Sequence, residues 1–169
     1  MTRARRIKLA LSLLAVIAVA VMIFLLSAQE GEESSKLSGN LASFIVRLVV
    51  PDYDELPAAK QKETLNAWFF YIRKAAHFSE YALLAMTLIN FLRQQRSSRI
   101  KQLMGVLAWG AAALYACTDE LHQVFVSDRA AALMDVGIDA AGALTGVLLS
   151  LLIIWLHRTL RRDRACEEL

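Results

Sequence analysis

The first apolar run, residues 9–26, reads LALSLLAVIAVAVMIFLL and contains no charged residue. A helix needs about 20 mostly apolar residues to cross the hydrocarbon core of a bilayer, so this run predicts a membrane span. Three further apolar segments follow at residues 75–92, 103–125 and 134–156. We therefore predict an all-α, polytopic membrane protein with four transmembrane helices.

The composition of the chain supports this fold class. Of its 169 residues, 57% are hydrophobic, which is too apolar for a soluble domain with polar surfaces. The net charge of +3 comes from basic residues beside the apolar segments. It indicates membrane topology and requires no nucleic-acid partner. The two cysteines, Cys117 and Cys166, are expected at different levels of the bundle and form no disulfide framework.

The first apolar run also has features of a secretory signal peptide, because basic residues precede it. It is longer than the usual h-region of about 7–15 residues. Cleavage after Ala28 would also place Leu26 where a small residue is required. We expect the segment to be retained as a membrane anchor.

Basic residues predict the orientation of the four spans. They cluster before the first span, in the loop between the second and third spans, and after the fourth span. With four spans these clusters fall on one side, so we expect both termini and this loop to be cytoplasmic. The clusters consist of Arg3, Arg5, Arg6, Lys8, Arg93, Arg96, Arg99, Lys101, Arg158, Arg161, Arg162 and Arg164.

The chain is expected to divide into four parts. Residues 1–27 form the amino terminus and first span, and residues 28–74 form an extracytoplasmic segment. Residues 75–158 form a core of three helices, and residues 159–169 form a cytoplasmic tail. Within the external segment, apolar residues at helical spacing predict an amphipathic helix over residues 34–50, which lies on the membrane surface and ends before Pro51.

A second helix of the external segment is predicted to begin at Pro57. Proline is favoured at the first position of a helix, where its missing N–H has no intrahelical partner. This helix would carry aromatic residues at the membrane interface and lead into the second span.

The acids and histidines of the last three spans lie at one end only, where two tyrosines and a glutamine accompany them. Consecutive spans run in opposite directions, so the start of the second, the end of the third and the start of the fourth lie on the same side. We predict that these residues form a shallow cup, open to the outside, because charged groups within spans usually mark a functional site. They are His77, Glu80 and Tyr81 on the second span, Tyr115, Asp119, Glu120, His122 and Gln123 on the third, and Asp135 and Asp139 on the fourth.

Three interpretations of the cup remain open. Carboxylates and imidazoles could bind a divalent metal, although the spacings HxxE, DExH and DxxxD match no established metal signature. An acid and a histidine could act as general base and general acid. Alternatively, the acids could pair with Arg73, Lys74 and Arg129 only to hold the helices together. Asp135 and Asp139, stacked on one helix face, repel each other unless a cation lies between them.

Gly142 and Gly146 form a GxxxG motif on the fourth span. Glycines at this spacing are typical of a helix face on which a neighbouring helix packs closely. We predict a packing role for them.

Three sequence elements, taken together, resemble the VanZ-like family. They are RKAAHFSEYALL at 73–84, YACTDELHQVF at 115–125 followed by Arg129, and DVGIDAAG at 135–142. The family includes the teicoplanin-resistance protein. The resemblance implies a small, multi-pass membrane protein of the bacterial cell envelope, located in the inner membrane, and a link to resistance against a lipid-tailed glycopeptide antibiotic.

The loop around Arg129 departs from the family pattern. Residues 126–128 read VSD where a small turn is expected, and residues 130–132 are three alanines. Ligand specificity built by this loop is therefore not carried over to this chain.

The resemblance and the cup together define the expected function. We expect an envelope protein whose cup engages the head group of an outer-leaflet lipid, a lipid-linked precursor or a lipoglycopeptide. The alternatives are an intramembrane metal-dependent hydrolase or transferase, and a non-catalytic envelope adaptor; the sequence leaves open whether the protein is an enzyme and whether it holds a metal or cofactor. Ligand contacts are assigned to Arg73, Lys74, Tyr81, Tyr115, Gln123 and Arg129, and acid–base work or cation binding to His77, Glu80, Asp119, Glu120, His122, Asp135 and Asp139.

Overall fold

The computed structural model describes residues 2–28, 42–124 and 133–167, with side chains up to residue 162. The described residues contain no strand, which confirms the all-α prediction. In chain order they form α1 (Arg3–Ser27), a helical stretch over residues 42–49 (α2), a one-turn 3-10 helix (Tyr53–Glu55), α3 (Ala58–Leu92), α4 (Ser98–Gln123) and α5 (Leu133–Glu167).

Three of these helices are long and apolar enough to cross a membrane. They are α1, α4 and the Leu133–Arg162 part of α5. Helix α3 is not among them, because its apolar half also contains the polar residues His77, Glu80 and Asn90. The all-helical membrane architecture is thus supported, whereas the fourth span and the extracytoplasmic position of residues 28–74 stay predictions.

Helix α3 packs against α1, α4 and α5. It begins at Ala58, directly after Pro57 as predicted, and continues to Leu92. Its 35 residues have a length of about 52 Å at 1.5 Å per residue. This exceeds the hydrocarbon core of about 30 Å, so α3 is longer than a single membrane span requires.

Helix α5 lies directly on the backbone of α3. An ideal Cβ placed on Gly142 would lie 2.9 Å from the carbonyl carbon of Phe78, and one on Gly146 would lie 2.8 Å from that of Ala82. Only glycine permits this approach, which confirms the predicted packing role of the GxxxG motif. Both pairs advance in the same direction along the chain, so α3 and α5 are parallel.

Helix α4 runs antiparallel to α5. Trp109 Nε1 donates a hydrogen bond to the carbonyl oxygen of Ala140 at 3.0 Å. Four residues earlier in α4, Gly105 lies opposite Val147, which is seven residues later in α5 than Ala140. The end of α4 therefore lies beside the start of α5.

Helix α1 is parallel to α4 and antiparallel to α3. Near the end of α4, Gln123 Nε2 donates to Ser27 Oγ at 3.0 Å. At the opposite end of the bundle, Arg5 Nη2 donates to the carbonyl oxygen of Gln94 at 3.1 Å, just after α3 ends. Alternating helix directions therefore place the polar ends of α3, α4 and α5 together, as the sequence predicts.

The segment before α3 is tied to that helix by its turn. Tyr53 is buried, and its hydroxyl donates to the carbonyl oxygen of Gln61 at 3.2 Å. Helix α2 ends at residue 49, before Pro51, which agrees with the predicted end of the amphipathic helix. The rest of that predicted helix, residues 34–41, lies outside the described residues.

Candidate functional site

Acidic side chains from α3, α4 and α5 meet at one end of the bundle. The carboxylate of Asp139 on α5 experiences electrostatic repulsion from Glu80 on α3, Asp119 and Glu120 on α4, and Asp135 on its own helix. This polar cup is the set of residues His77, Glu80, Tyr81, Tyr115, Asp119, Glu120, His122, Gln123, Asp135 and Asp139.

An ion pair joins α3 and α5 at the rim of the polar cup. The ammonium group of Lys74 contacts Asp135 Oδ1, and the two side chains are 20% and 23% exposed. Lys74 Nζ also lies 5.3 Å from the centroid of the Phe70 ring. Of the cations proposed as partners for the stacked acids of α5, Lys74 therefore neutralises Asp135.

Asp139 lies one turn further along α5 and is only 1% exposed. Among the residues that the structure describes, neither of its carboxylate oxygens has a hydrogen-bond partner. The buried hydroxyl of Tyr81 on α3 is in the same situation, and it interacts electrostatically with Asp139. This part of the polar cup therefore presents two acceptor oxygens and one hydroxyl group without partners in the described chain.

His77 and Glu80 share one face of α3, as their spacing predicts. His77 Nδ1 lies 4.0 Å from Glu80 Oε2, and each side chain is 17% exposed. This distance is too long for a hydrogen bond. A small movement of either side chain could shorten it, so the arrangement is compatible with proton exchange between them or with a ligand.

The end of α4 places its acids in the interior. Asp119, Glu120 and Gln123 are all buried. Gln123 Nε2 donates both to Asp119 Oδ2 at 3.2 Å and to Ser27 Oγ at 3.0 Å. Gln123 therefore connects the acids of the polar cup to α1, and its contact with a ligand stays a prediction.

Helix α1 contributes side chains that the sequence analysis did not assign to the site. Besides Ser27, Phe24 packs on His122, with ring centroids 4.7 Å apart. The Tyr115 hydroxyl donates to the carbonyl oxygen of Ala20 at 2.7 Å. Because α1 has no charged residue at this level, the only signal in the sequence was the position of Ser27 at the end of the apolar run.

Two tyrosines line the deep end of the polar cup. The rings of Tyr81 and Tyr115 lie 6.3 Å apart and connect α3 to α4. Beyond them, towards the opposite end, the buried side chains are mostly apolar, including Leu84, Ala85 and Ala112. The polar residues thus lie together at one end of the bundle, as the alternating helix directions predict, whereas the opening of the cup to the outside stays a prediction.

Two arginines are predicted to contact the ligand, and the structure describes one of them. Arg73 lies on α3 next to Lys74 and is half-buried. Arg129 lies outside the described residues.

Among the described residues, no group of three or more His, Cys, Asp or Glu side chains is arranged to hold a metal ion. No metal site is therefore proposed.

Comparison with known protein families identifies the family of this chain. A family model described as VanZ/LLP1 matches residues 12–155, which is most of the chain. No characterised protein and no solved structure matches the chain. The matched range extends well before the three motifs and includes the part of α1 that contacts Tyr115, His122 and Gln123.

Proposed function

We propose that this chain, which belongs to the VanZ/LLP1 family, is a four-span protein of the bacterial cell envelope that binds a polar head group in its cup. The ligand is the head group of an outer-leaflet lipid or a lipid-linked precursor. Helix α3 supplies the fourth span, since residues 75–92 contain one charged residue, Glu80, and pack among the other three helices. Basic residues at the other end of the bundle support an outward-facing cup.

The observation that carries the proposal is the burial of Asp139 beside Tyr81. A buried carboxylate without a hydrogen-bond partner is costly, so such a group points to a ligand or to a mechanism. The two oxygens of Asp139 accept hydrogen bonds, which favours a head group rich in hydroxyl or amide N–H donors. A lipid-linked sugar has this chemistry.

The two described basic residues at the rim of the polar cup, Lys74 and Arg73, have different roles. Lys74 is already engaged by Asp135 and serves mainly to join α3 to α5. Arg73 is the described cation that remains for a phosphate group, and the planar guanidinium suits bidentate contact with phosphate. The sugar would therefore lie towards Asp139 and the phosphate towards Arg73.

A purely structural role explains some residues of the cup but not Asp139. The Lys74–Asp135 pair and the Gln123–Ser27 hydrogen bond join helices and stabilise the bundle. Asp139 forms no hydrogen bond of this kind within the described chain. A helix-locking function would be served better by an apolar residue at position 139.

The test is binding of a polyprenyl-diphosphate-linked disaccharide to the purified full-length protein, measured by native mass spectrometry. Asp139→Asn keeps the size of the side chain and replaces one carboxyl oxygen with an amide group that cannot accept a hydrogen bond. We expect binding to weaken about threefold to tenfold, because one hydrogen bond contributes about 0.5–1.5 kcal/mol. Glu55→Gln, an exposed acid outside the cup, is the matched control and should bind like the wild type.

Two outcomes would contradict the proposal. One is wild-type affinity in a folded Asp139→Asn protein, and the other is an equal loss in the Glu55→Gln control. The link to glycopeptide resistance is tested separately, by expressing both variants in a teicoplanin-sensitive bacterium. Wild-type protein and the Glu55→Gln control should raise the inhibitory concentration, and Asp139→Asn should not.

A further inference from the structure

A cleft of about 710 Å³ lies at the end of the bundle opposite the polar cup. This volume is within the range of about 300–1,000 Å³ that is common for small-ligand sites. The cleft, called the basic cleft below, contains no acidic residue in its lining. It is lined by Arg93, Lys101, Gln102, Met104, Ile153, Ile154, His157 and Arg158.

The basic cleft lies between the start of α4 and the end of α5. The two helices are in contact at Gly105, where an added Cβ would lie 3.4 Å from Val147 Cγ1 and 3.6 Å from Leu151 Cδ1. One turn further towards the basic end, side chains of both helices line a gap instead of filling it. The result is a cavity with an apolar interior and a cationic mouth.

The cations of the mouth come from three parts of the fold. Arg93 follows α3, Lys101 is on α4 and Arg158 is on α5. Within the described chain none of them forms an ion pair with an acid. Like charges that face one cavity repel each other, so an anion between them is favoured.

A second cleft extends the cationic surface. It has a volume of about 400 Å³, shares Arg93 and Lys101 with the basic cleft, and adds Arg5 and Lys8 of α1. The rule that basic residues face the cytoplasm explains the sign of the charge at this end. It does not explain why the charges surround a cavity with an apolar interior.

We infer that the basic cleft binds an anionic phospholipid from the leaflet at this end of the bundle. The lipid phosphate would lie among Arg93, Lys101 and Arg158, which form charge-assisted hydrogen bonds. Its acyl chain would cover Met104, Ile153 and Ile154. Basic pockets between membrane helices are suited to anionic head groups. This inference is independent of the ligand of the polar cup.

The experiment measures phosphatidylglycerol binding to the purified full-length protein in a neutral detergent, by native mass spectrometry, with phosphatidylcholine as the neutral comparison. The double variant Arg93→Ala/Lys101→Ala should bind phosphatidylglycerol about 30-fold more weakly. This follows from about 1 kcal/mol per basic residue near an anionic head group. The matched control Arg96→Ala/Arg99→Ala removes the same charge from the same region of the chain, but neither arginine lines the cleft. We expect it to change the affinity less than about threefold, because it removes only the screened, long-range attraction between these arginines and the lipid phosphate.

A second variant tests the cavity without changing the charge. Gln102 is exposed and lines the cleft, so Gln102→Trp should occupy the space and weaken phosphatidylglycerol binding while all cations remain. Equal losses in the two double variants would overturn the inference, because diffuse charge would then account for binding. Wild-type binding by Gln102→Trp would also overturn it. Displacement of the lipid by millimolar inorganic phosphate would assign the cations to a free anion instead.

Discussion

Replacing Gly142 with alanine tests whether backbone contact sets the distance between α3 and α5. The added Cβ would lie 2.9 Å from the carbonyl carbon of Phe78 and 3.0 Å from its Cα, whereas ordinary contact begins at 3.4 Å. The atoms that it meets belong to the backbone of a long helix and cannot rotate away. The carbonyl oxygen of Phe78 is nearer still, so the helices must separate by about 1 Å, and overpacking of this kind costs about 1–3 kcal/mol.

Gly137 provides a matched control on the same helix. An added Cβ at this position meets nothing within 4 Å. Gly137→Ala should therefore be neutral or stabilising by up to about 1 kcal/mol, because alanine has the higher helix propensity. Of these two glycine-to-alanine changes in α5, only Gly142→Ala is thus expected to destabilise the protein.

Thermal unfolding in detergent, followed by circular dichroism, measures the difference. A change of 1 kcal/mol corresponds to roughly 2–4 °C in Tm for a chain of this size, so Gly142→Ala should lower Tm by several degrees. Gly146→Ala should act in the same direction, since its Cβ would lie 2.8 Å from the carbonyl carbon of Ala82. If Gly142→Ala melts at or above the temperature of Gly137→Ala, the close approach of α5 to α3 is refuted.

Three further predictions concern the contacts that join the helices. Lys74→Met leaves Asp135 without its cation and should destabilise the protein by about 1.5–3 kcal/mol in denaturant titration. Adding Asp135→Asn should recover part of this loss, and purely additive effects of the two changes would show that the pair is not coupled. Tyr115→Phe removes the hydrogen bond to the carbonyl oxygen of Ala20 and should cost about 1 kcal/mol, with faster amide exchange in α1; unchanged exchange would contradict the contact. Gln123→Met removes two buried hydrogen bonds and should lower Tm more than Tyr115→Phe does.

The sequence predicts the helices and the common level of the acids well. Apolar runs without charge can satisfy their backbone groups in a membrane only as helices, so their positions follow from composition. Alternating direction then places the start of α3, the end of α4 and the start of α5 together. The sequence also predicts that a basic residue near this end of the bundle pairs with the acids. The structure shows this pair between Lys74 and Asp135.

The neighbours of each helix could not be predicted in the same way. The GxxxG motif shows that Gly142 and Gly146 admit a close partner, but any of the other helices could have supplied it. Likewise, α1 has no charged residue near the polar cup, so its contacts through Ser27 and Phe24 depend on helix arrangement alone. The cationic clusters predict the side of the membrane, whereas the basic cleft depends on how the start of α4 packs against the end of α5.

The glycine contact also determines where the acids of α5 lie. Asp135, Asp139, Gly142 and Gly146 are spaced by four, three and four residues, so they form one stripe along the helix. Both ends of this stripe are held against α3, at one end by the ion pair with Lys74 and at the other by direct contact of the glycines with backbone carbonyl groups. Asp139 lies between these two points and is therefore kept against α3 and away from solvent. The packing of α5 and the burial of Asp139 are thus one property of the interface between α3 and α5, so variants that widen this interface perturb the polar cup as well as the fold.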